Sequence, residues 1–250
     1  MSFTAPDAYD RFMGRYSTLL APQLADLANV EPGQRALDVG CGPGALTGEL
    51  VRRLGSESVA AVDPSEPFVA AVSTRHPGVQ TQRAAAEDLP FSDLAFDATL
   101  AQLVVHFMKD PVAGLGEMRR VTRPGGVVAA CVWDHAGDQG PLSLFWSAAR
   151  RLDTEVEDES DLPGVRQGHL GELFREAGLH QVEETSLTVA VEHDTFEDWW
   201  EPFELGVGPA GSYVTSLDPE RQVELRELLR EELPAPFALT AVAWAARGTA

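Results

Sequence analysis

Short apolar runs alternate with longer amphipathic stretches between residues 35 and 133. The runs are too short for helices and are bounded by turn residues, so they predict strands, and the stretches between them predict helices. The predicted strands are 35–39, 58–62, 79–83, 96–101 and 127–133, and the predicted helices are 43–54, 64–74 and 110–122. Strands that alternate with helices predict a parallel sheet with helices on both faces.

The flanking parts of the chain extend this pattern. Four leucines at helical spacing predict a helix over 17–29. Later apolar patterns predict helices over 142–152 and 167–177 and strands over 181–191 and 237–247. Residues 195–233 lie between these last two strands and predict a helical insertion, in which Asp218 and Pro219 start a helix as its N-cap and first residue.

Three glycines that follow the first predicted strand indicate a ligand-binding loop. Gly40, Gly42 and Gly44 occupy alternate positions, and glycine permits both positive φ angles and close approach of a ligand to the backbone. We expect the next helix to begin at Pro43 and to point its free amides at an anionic group. Asp63 ends the second predicted strand, where a carboxylate can accept both hydroxyls of a ribose.

Two classes of nucleotide-binding protein fit these residues. Gly40, Gly42 and Ala45 match the dinucleotide pattern G-x-G-x-x-G/A, so a nicotinamide-dependent oxidoreductase is one alternative. The short-chain dehydrogenases use a tyrosine with a lysine four residues later, and no tyrosine of this chain has that partner. The sequence therefore disfavours an oxidoreductase of that type.

Four motifs carry a closer resemblance. They are LDVGCGPG at Leu37–Gly44, DPS at Asp63–Ser65, AEDLPF at Ala86–Phe91 and PGG at Pro124–Gly126. In this order they resemble the class I S-adenosylmethionine-dependent methyltransferases, in particular the small-molecule, type 11-like group. The resemblance implies one Rossmann-like domain over 1–250 with seven strands, mostly parallel and the last antiparallel. It also implies an N-terminal lid or helix over 1–30 and a helical cap over 195–233.

The same resemblance implies roles for individual residues. Arg15 would meet the cofactor carboxylate, Asp63 would hold the ribose, and Phe68 would lie against the adenine. The other residues expected at the cofactor are Asp38, Gly40, Gly42, Ala86, Glu87 and Gln102. Ala85 departs from the group, which commonly has an acidic residue there, so adenine recognition would rest on the backbone of residues 86 and 87 and on Glu87 or Asp88.

Aromatic and histidine residues provide candidates for the acceptor side. We expect the substrate pocket to include Tyr9, Tyr16, Trp133, Trp199, Trp200 and Tyr213, and adjacent tryptophans to diverge, with one in the pocket or in solvent. His106 follows the fourth strand, and the resemblance implies that this loop lies nearest the methyl group, so His106 is the expected catalytic base. His135 and His193 also lie near strand ends. No metal is expected, and the acidic run 153–161 predicts an exposed loop.

Composition restricts the partners. The 250 residues contain 39 acidic and 19 basic side chains, a net charge of −20, which disfavours nucleic acids and anionic membranes. Two cysteines without a membrane-length apolar run predict a cytoplasmic protein. We expect a monomer or homodimer that uses S-adenosyl-L-methionine to methylate a small molecule at oxygen, nitrogen or carbon. A non-catalytic, cofactor-binding regulator is the alternative from another class.

Overall fold

The computed structural model describes residues 6–250 and is built on one seven-stranded sheet with the strand order β3-β2-β1-β4-β5-β7-β6. The strands are β1 (Ala36–Val39), β2 (Val59–Asp63), β3 (Gln80–Arg83), β4 (Phe96–Gln102), β5 (Thr122–Trp133), β6 (His180–His193) and β7 (Phe237–Thr249). β7 pairs antiparallel with both β5 and β6, whereas the other neighbouring strands pair parallel. The predicted mostly parallel sheet with an antiparallel last strand is confirmed.

Ten α-helices within residues 6–250 complete the fold. They are α1 (Pro6–Tyr9), α2 (Arg15–Leu27), α3 (Ala45–Leu54), α4 (Glu66–Arg75), α5 (Pro111–Val121), α6 (Ser143–Leu152), α7 (His169–Glu176), α8 (Phe196–Glu204), α9 (Gly208–Ser216) and α10 (Pro219–Glu232). A π-helical turn, Asp10–Gly14, joins α1 to α2. Helices α8 to α10 form the helical insertion between β6 and β7, and we call them the cap. The first five residues of the expected lid lie outside the described residues.

Both faces of the sheet are buried, because its central strands are apolar at successive positions. In β5, Val128 and Ala130 belong to the core that includes α5 and α7. Ala129 and Cys131 belong to the opposite core, which includes α2, α3, α6 and the cap. Side chains alternate between the faces of a strand, so the helices cover both faces as predicted. Within residues 6–250, no helix has the length and apolar character needed to cross a bilayer.

Two segments differ from the sequence prediction. β5 begins at Thr122 instead of 127, because Phe96 pairs with Thr122 and the register then shifts before Ala98 pairs with Val127. This irregularity accommodates the intervening PGG segment. The acidic run 153–161 is not wholly exposed, since the side chain of Glu159 is buried.

Candidate functional site

The glycine loop leaves the carboxyl end of β1 and is fixed to the neighbouring strand. The N–H groups of Gly40 and Cys41 both donate to the carbonyl of Val62, at 2.8 and 2.9 Å. Helix α3 begins at Ala45, so the predicted start at Pro43 is wrong. The reason is that Gly44, the N-cap, has a left-handed φ of 105°, which an α-helix cannot contain.

Positions 40 and 42 both require glycine, but for different reasons. Both have positive φ, 70° and 51°. A Cβ atom on Gly40 would lie 2.6 Å from Cγ1 of Val104 and closer still to Cγ2, whereas nothing lies within 4 Å of a Cβ on Gly42. Gly40 therefore permits packing within the protein, and Gly42 leaves open space beside the backbone for a ligand.

A cavity of about 520 Å³ lies beyond the carboxyl ends of β1, β2 and β4. This position is the usual ligand site of an open α/β sheet, and the volume suits a small-molecule ligand. Eight of the residues expected at the site line it: Tyr9, Gly40, Gly42, Asp63, Phe68, Ala86, Glu87 and Gln102. The structure thus brings together residues from three of the four sequence motifs.

Asp63 forms the polar side of this cavity. The residue is 7% exposed, and its two carboxylate oxygens accept the N–H groups of Gly42 and Ser65, at 2.9 and 2.8 Å. Burial raises the pKa of Asp63, and the two amide donors partly oppose that rise. Each oxygen retains further acceptor capacity, so the carboxylate is held in place and can accept further hydrogen bonds.

Asp38 and Gln102 border a smaller recess that adjoins the cavity along the glycine loop. One oxygen of Asp38 accepts the hydroxyl of Thr47 at 2.6 Å, and burial raises the pKa of Asp38 to about 7. The amide nitrogen of Gln102 donates to the carbonyl of Ser17 at 3.0 Å. Among the described residues, the other Asp38 oxygen and the Gln102 oxygen are buried without a hydrogen-bond partner. Two such acceptors suit a ligand that brings a cationic donor.

Part of the cavity wall is aromatic and is formed by Tyr9 and Phe68. Phe68 is buried, and the ring of Tyr9 meets it edge to face with centroids 5.6 Å apart. One carboxylate oxygen of Glu87 accepts the N–H groups of Lys109 and Asp110, at 2.7 and 3.3 Å. The Glu87 side chain therefore braces the segment before α5.

Arg15 is directed away from the cavity, contrary to its expected role. The reason is an acidic partner on the cap. The guanidinium of Arg15 donates to both carboxylate oxygens of Asp198 in α8, at 2.6 and 2.9 Å. It also contacts Nδ1 of His193 at 3.0 Å. Since arginine is only a donor, this Nδ1 accepts, and Nε2 carries the proton toward the hydroxyl of Tyr16, 3.4 Å away.

Three of the aromatic residues expected in the substrate pocket cluster around the contact between His193 and Tyr16. Tyr16 and Trp199 line a small recess with His193, and Trp133 packs edge-on against Tyr16 at 6.1 Å. The indole N–H of Trp133 donates to the sulfur of Met13 at 3.3 Å. These aromatics therefore connect α2, β5 and the cap.

Trp200 and Tyr213, which were also expected in the substrate pocket, pack against the hydrophobic core of the cap. Trp200 stacks on Phe196, and its N–H donates to Glu204 at 2.8 Å, while Tyr213 packs against Trp146. Neither Trp200 nor Tyr213 lines the 520 Å³ cavity within the described chain. Both adjacent tryptophans are buried in the same hydrophobic core, and neither is among the described residues that line the 520 Å³ cavity. The expectation that one of them points into the pocket or into solvent is therefore wrong.

His106 is also displaced from its expected position. Val104, Phe107 and Met108 form the cavity wall in this turn, and His106 is not among the described residues that line it. Its imidazole is 4% exposed and lies 6.0 Å, between ring centroids, from that of His135. Burial holds the pKa of His106 well below its usual value. The geometry does not support His106 as the base.

Sequence reasoning missed the apolar wall and the partner of Asp38. Leu103 and Val104 follow β4 and face the cavity with Phe107 and Met108, yet they belong to none of the motifs. The 3₁₀ turn Val105–Phe107 sets which side chains face inward, and it carries no periodic signal. Thr47, nine residues after Asp38, could have been identified only from the helical position it occupies in α3.

Comparison with known proteins gives the class of this chain. Residues 37–130 match the model of a family described as a methyltransferase domain. Over 183 residues the chain is 31% identical to an uncharacterised methyltransferase of Mycobacterium bovis, and the alignment covers 73% of this chain and 69% of that protein. The chain therefore belongs to the methyltransferase family, as its motifs predicted.

Two further proteins are similar to it. Over 168 residues the chain is 35% identical to a malonyl-[acyl-carrier protein] O-methyltransferase of Erwinia billingiae, with 67% of this chain and 64% of that protein covered. The solved structure of a methyltransferase candidate from Bacillus halodurans has a TM-score of 0.60 at 16% identity, covering 92% of this chain and 97% of that chain. The latter likeness concerns the fold alone. The chain spans less than two thirds of the length of several curated relatives that it matches.

Proposed function

We propose that this protein transfers the methyl group of S-adenosyl-L-methionine to a small-molecule acceptor. The observation that carries the proposal is the placement of two acidic residues on adjoining recesses: Asp63 lines the 520 Å³ cavity, and Asp38 borders the smaller recess with a buried oxygen that lacks a donor among the described residues. The cofactor has ribose hydroxyls and a methionine ammonium group, and both are hydrogen-bond donors that these two carboxylates can accept.

The residues of this chain fit such a cofactor in three places. Asp63 would accept the ribose hydroxyls, since its orientation is already fixed by Gly42 and Ser65. Asp38 and Gln102 would receive the ammonium group, whose charge offsets the cost of a buried carboxylate. Phe68 and Tyr9 offer an aromatic surface for the adenine.

Methyl transfer does not require the protein to form a covalent intermediate. The bound cofactor would supply the methyl group of a sulfonium, whose sulfur leaves with the bonding electron pair as a neutral thioether. The chain then has to align the acceptor with that methyl group, an effect worth on the order of 7–11 kcal/mol, and to exclude water. Leu103, Phe107 and Met108 provide an apolar wall for this purpose, and any acceptor proton would leave through a group other than His106.

Calorimetric titration with S-adenosylmethionine, S-adenosylhomocysteine and NADH tests the cofactor. We expect the first two ligands to bind and NADH to give no heat. Binding of NADH alone would favour the oxidoreductase alternative and overturn the proposal.

An acceptor panel tests the reaction. The panel includes a malonyl thioester, because the relative from Erwinia billingiae is named for methyl transfer to malonyl-[acyl-carrier protein], together with small phenols and amines. Sustained formation of S-adenosylhomocysteine with any member supports methyl transfer. Cofactor binding without turnover on the whole panel would favour a binding regulator.

A further inference from the structure

Three buried side chains from distant parts of the chain meet behind the cavity wall. His106 lies in the turn after β4, His135 follows the end of β5, and Glu159 lies between α6 and α7. Each offers one nitrogen or oxygen atom, and these atoms all lie within 4.8 Å of one another. The three residues are 4%, 6% and 4% exposed, so this cluster is separated from water.

The hydrogen bonds of the cluster are incomplete. One carboxylate oxygen of Glu159 accepts the indole N–H of Trp146 at 3.1 Å. The other lies 3.8 Å from Nε2 of His135, too far for a hydrogen bond. Within residues 6–250, Nδ1 of His106 and Nε2 of His135 are buried without a hydrogen-bond partner. Unpaired buried polar atoms are costly, and two such imidazole nitrogens beside a buried carboxylate indicate a missing common partner.

The electrostatics of the cluster also favour a positive partner. The two imidazole nitrogens that lack a partner can present a lone pair, and neutral imidazole is the form of histidine that binds metal ions. A cation would also offset the cost of ionising the buried carboxylate.

We propose that His106, His135 and Glu159 bind one zinc-like divalent cation, which would clamp the segment 153–168 onto the carboxyl ends of β4 and β5. Two imidazoles and one carboxylate form a donor set typical of Zn²⁺ with one open position and of other first-row transition ions. Mg²⁺ and Ca²⁺ prefer oxygen ligands and are disfavoured. Ligand bonds of about 2.0–2.2 Å would require the three side chains to draw closer together.

The position of the cluster defines its role. Residues 153–168 consist of turns and irregular backbone and are held beside the site by the ion pair of Arg150 with Asp158. The cation would join this segment to the turn that contains Phe107, and Phe107 lines the cavity. It would stabilise the cavity wall without contacting the ligand. Such a cation would bind independently of methyl transfer, so a titration with the metal alone requires neither cofactor nor acceptor.

The experiment titrates the chelator-treated, dialysed protein with Zn²⁺ and, separately, with Co²⁺. We expect one equivalent to bind and Co²⁺ to give the visible bands of a four- or five-coordinate site without thiolate charge transfer. Glu159→Gln preserves the size of the side chain and an acceptor for Trp146. It should weaken Zn²⁺ binding by about 100-fold or more, beyond the effect of losing an outer-shell partner. His180→Gln is the control, because His180 is exposed at the start of β6 and should bind as wild type.

Thermal unfolding provides the second measurement. Zn²⁺ should raise the Tm of the wild-type protein and of His180→Gln but not that of Glu159→Gln. If Glu159→Gln fails to fold, the stoichiometry and the Co²⁺ spectrum of the wild-type protein decide the question. Less than one equivalent bound, a thiolate spectrum, or unchanged affinity in a folded Glu159→Gln protein would overturn the proposal.

Discussion

The carboxylate of Asp198 holds the guanidinium of Arg15 through two hydrogen bonds, at 2.6 and 2.9 Å. This pair joins the first residue of α2 to the first helix of the cap. A second pair, Arg11 with Glu201 at 2.8 Å, joins the π-helical turn to the same helix. The N-terminal segment is therefore fastened to the cap in this structure, and an opening of the segment would first have to break these contacts.

A double-mutant cycle with Arg15→Gln and Asp198→Asn measures this connection. Their side chains are 34% and 39% exposed, so solvent screens the pair and we expect a coupling of about 0.2–1 kcal/mol in the free energy of unfolding. Arg11→Gln with Glu201→Gln is the matched control, because that pair is 59% and 54% exposed and should couple less. Equal coupling in both cycles would show that the bidentate geometry adds nothing.

Asp63→Asn should weaken binding of S-adenosylhomocysteine by about 10- to 150-fold, the loss typical of hydrogen bonds to a charged group. The amide retains the shape of the side chain but loses the charge and part of its acceptor capacity. Calorimetry measures the affinity, and Asp161→Asn is the control, because Asp161 is exposed and is not among the described residues that line the cavity. Unchanged affinity in Asp63→Asn would mean that the ribose is held elsewhere.

Binding of S-adenosylhomocysteine should release protons near pH 6. The pKa of Asp38 is about 7, above the ordinary value of about 3.9, so the free folded protein retains a proton there that the unfolded chain has lost. Its contribution to stability therefore falls as the pH rises from about 4 to 7. An ammonium group lowers this pKa, so affinity should increase with pH over the upper part of that range.

Calorimetry at one pH in buffers of different ionisation enthalpy counts the protons released. Asp38→Asn should abolish the release and weaken binding, whereas the control Asp161→Asn should leave both unchanged. A pH-independent affinity in the wild-type protein would contradict the assignment of Asp38 to the ammonium group.

Gly40→Ala should destabilise the protein more than Gly42→Ala. Each substitution forces a side chain into left-handed backbone, which costs roughly 1–2 kcal/mol. At position 40 the added methyl group would also overlap Val104, an overpacking worth about 1–3 kcal/mol more. Denaturant unfolding measures both. Val104→Ala in the Gly40→Ala background should recover part of the loss, and an absence of recovery would show that backbone strain alone is responsible.

The sequence predicts the parts of this fold that depend on neighbouring residues. Apolar runs such as 59–62 form strands because their side chains are buried on both faces of the sheet. The positions of Gly40, Gly42 and Asp63 follow from the strands that precede them, so their convergence at one cavity was predictable. Pro43 does not mark the start of α3, because Gly44 follows it in the left-handed conformation and the helix begins only at Ala45.

Contacts between distant segments could not be predicted in this way. Arg15 and Asp198 are 183 residues apart, and no local pattern favours that partner over a ligand carboxylate. His106 follows a strand end as expected, but the 3₁₀ turn directs its ring toward His135. Glu159 lies within a run of acidic residues, whose composition indicates a solvated loop although one member is buried.

The tryptophans provide an intrinsic optical readout of these separate regions. None of the five is among the described residues that line the 520 Å³ cavity, so occupation of the cavity alone should change their emission little. Trp133 and Trp199 lie beside Tyr16 and report on the junction of the N-terminal segment with the cap. Trp146 donates to Glu159 and reports on the buried cluster. Emission from single-tryptophan variants would therefore distinguish a change at the junction of the N-terminal segment with the cap from binding at the buried cluster.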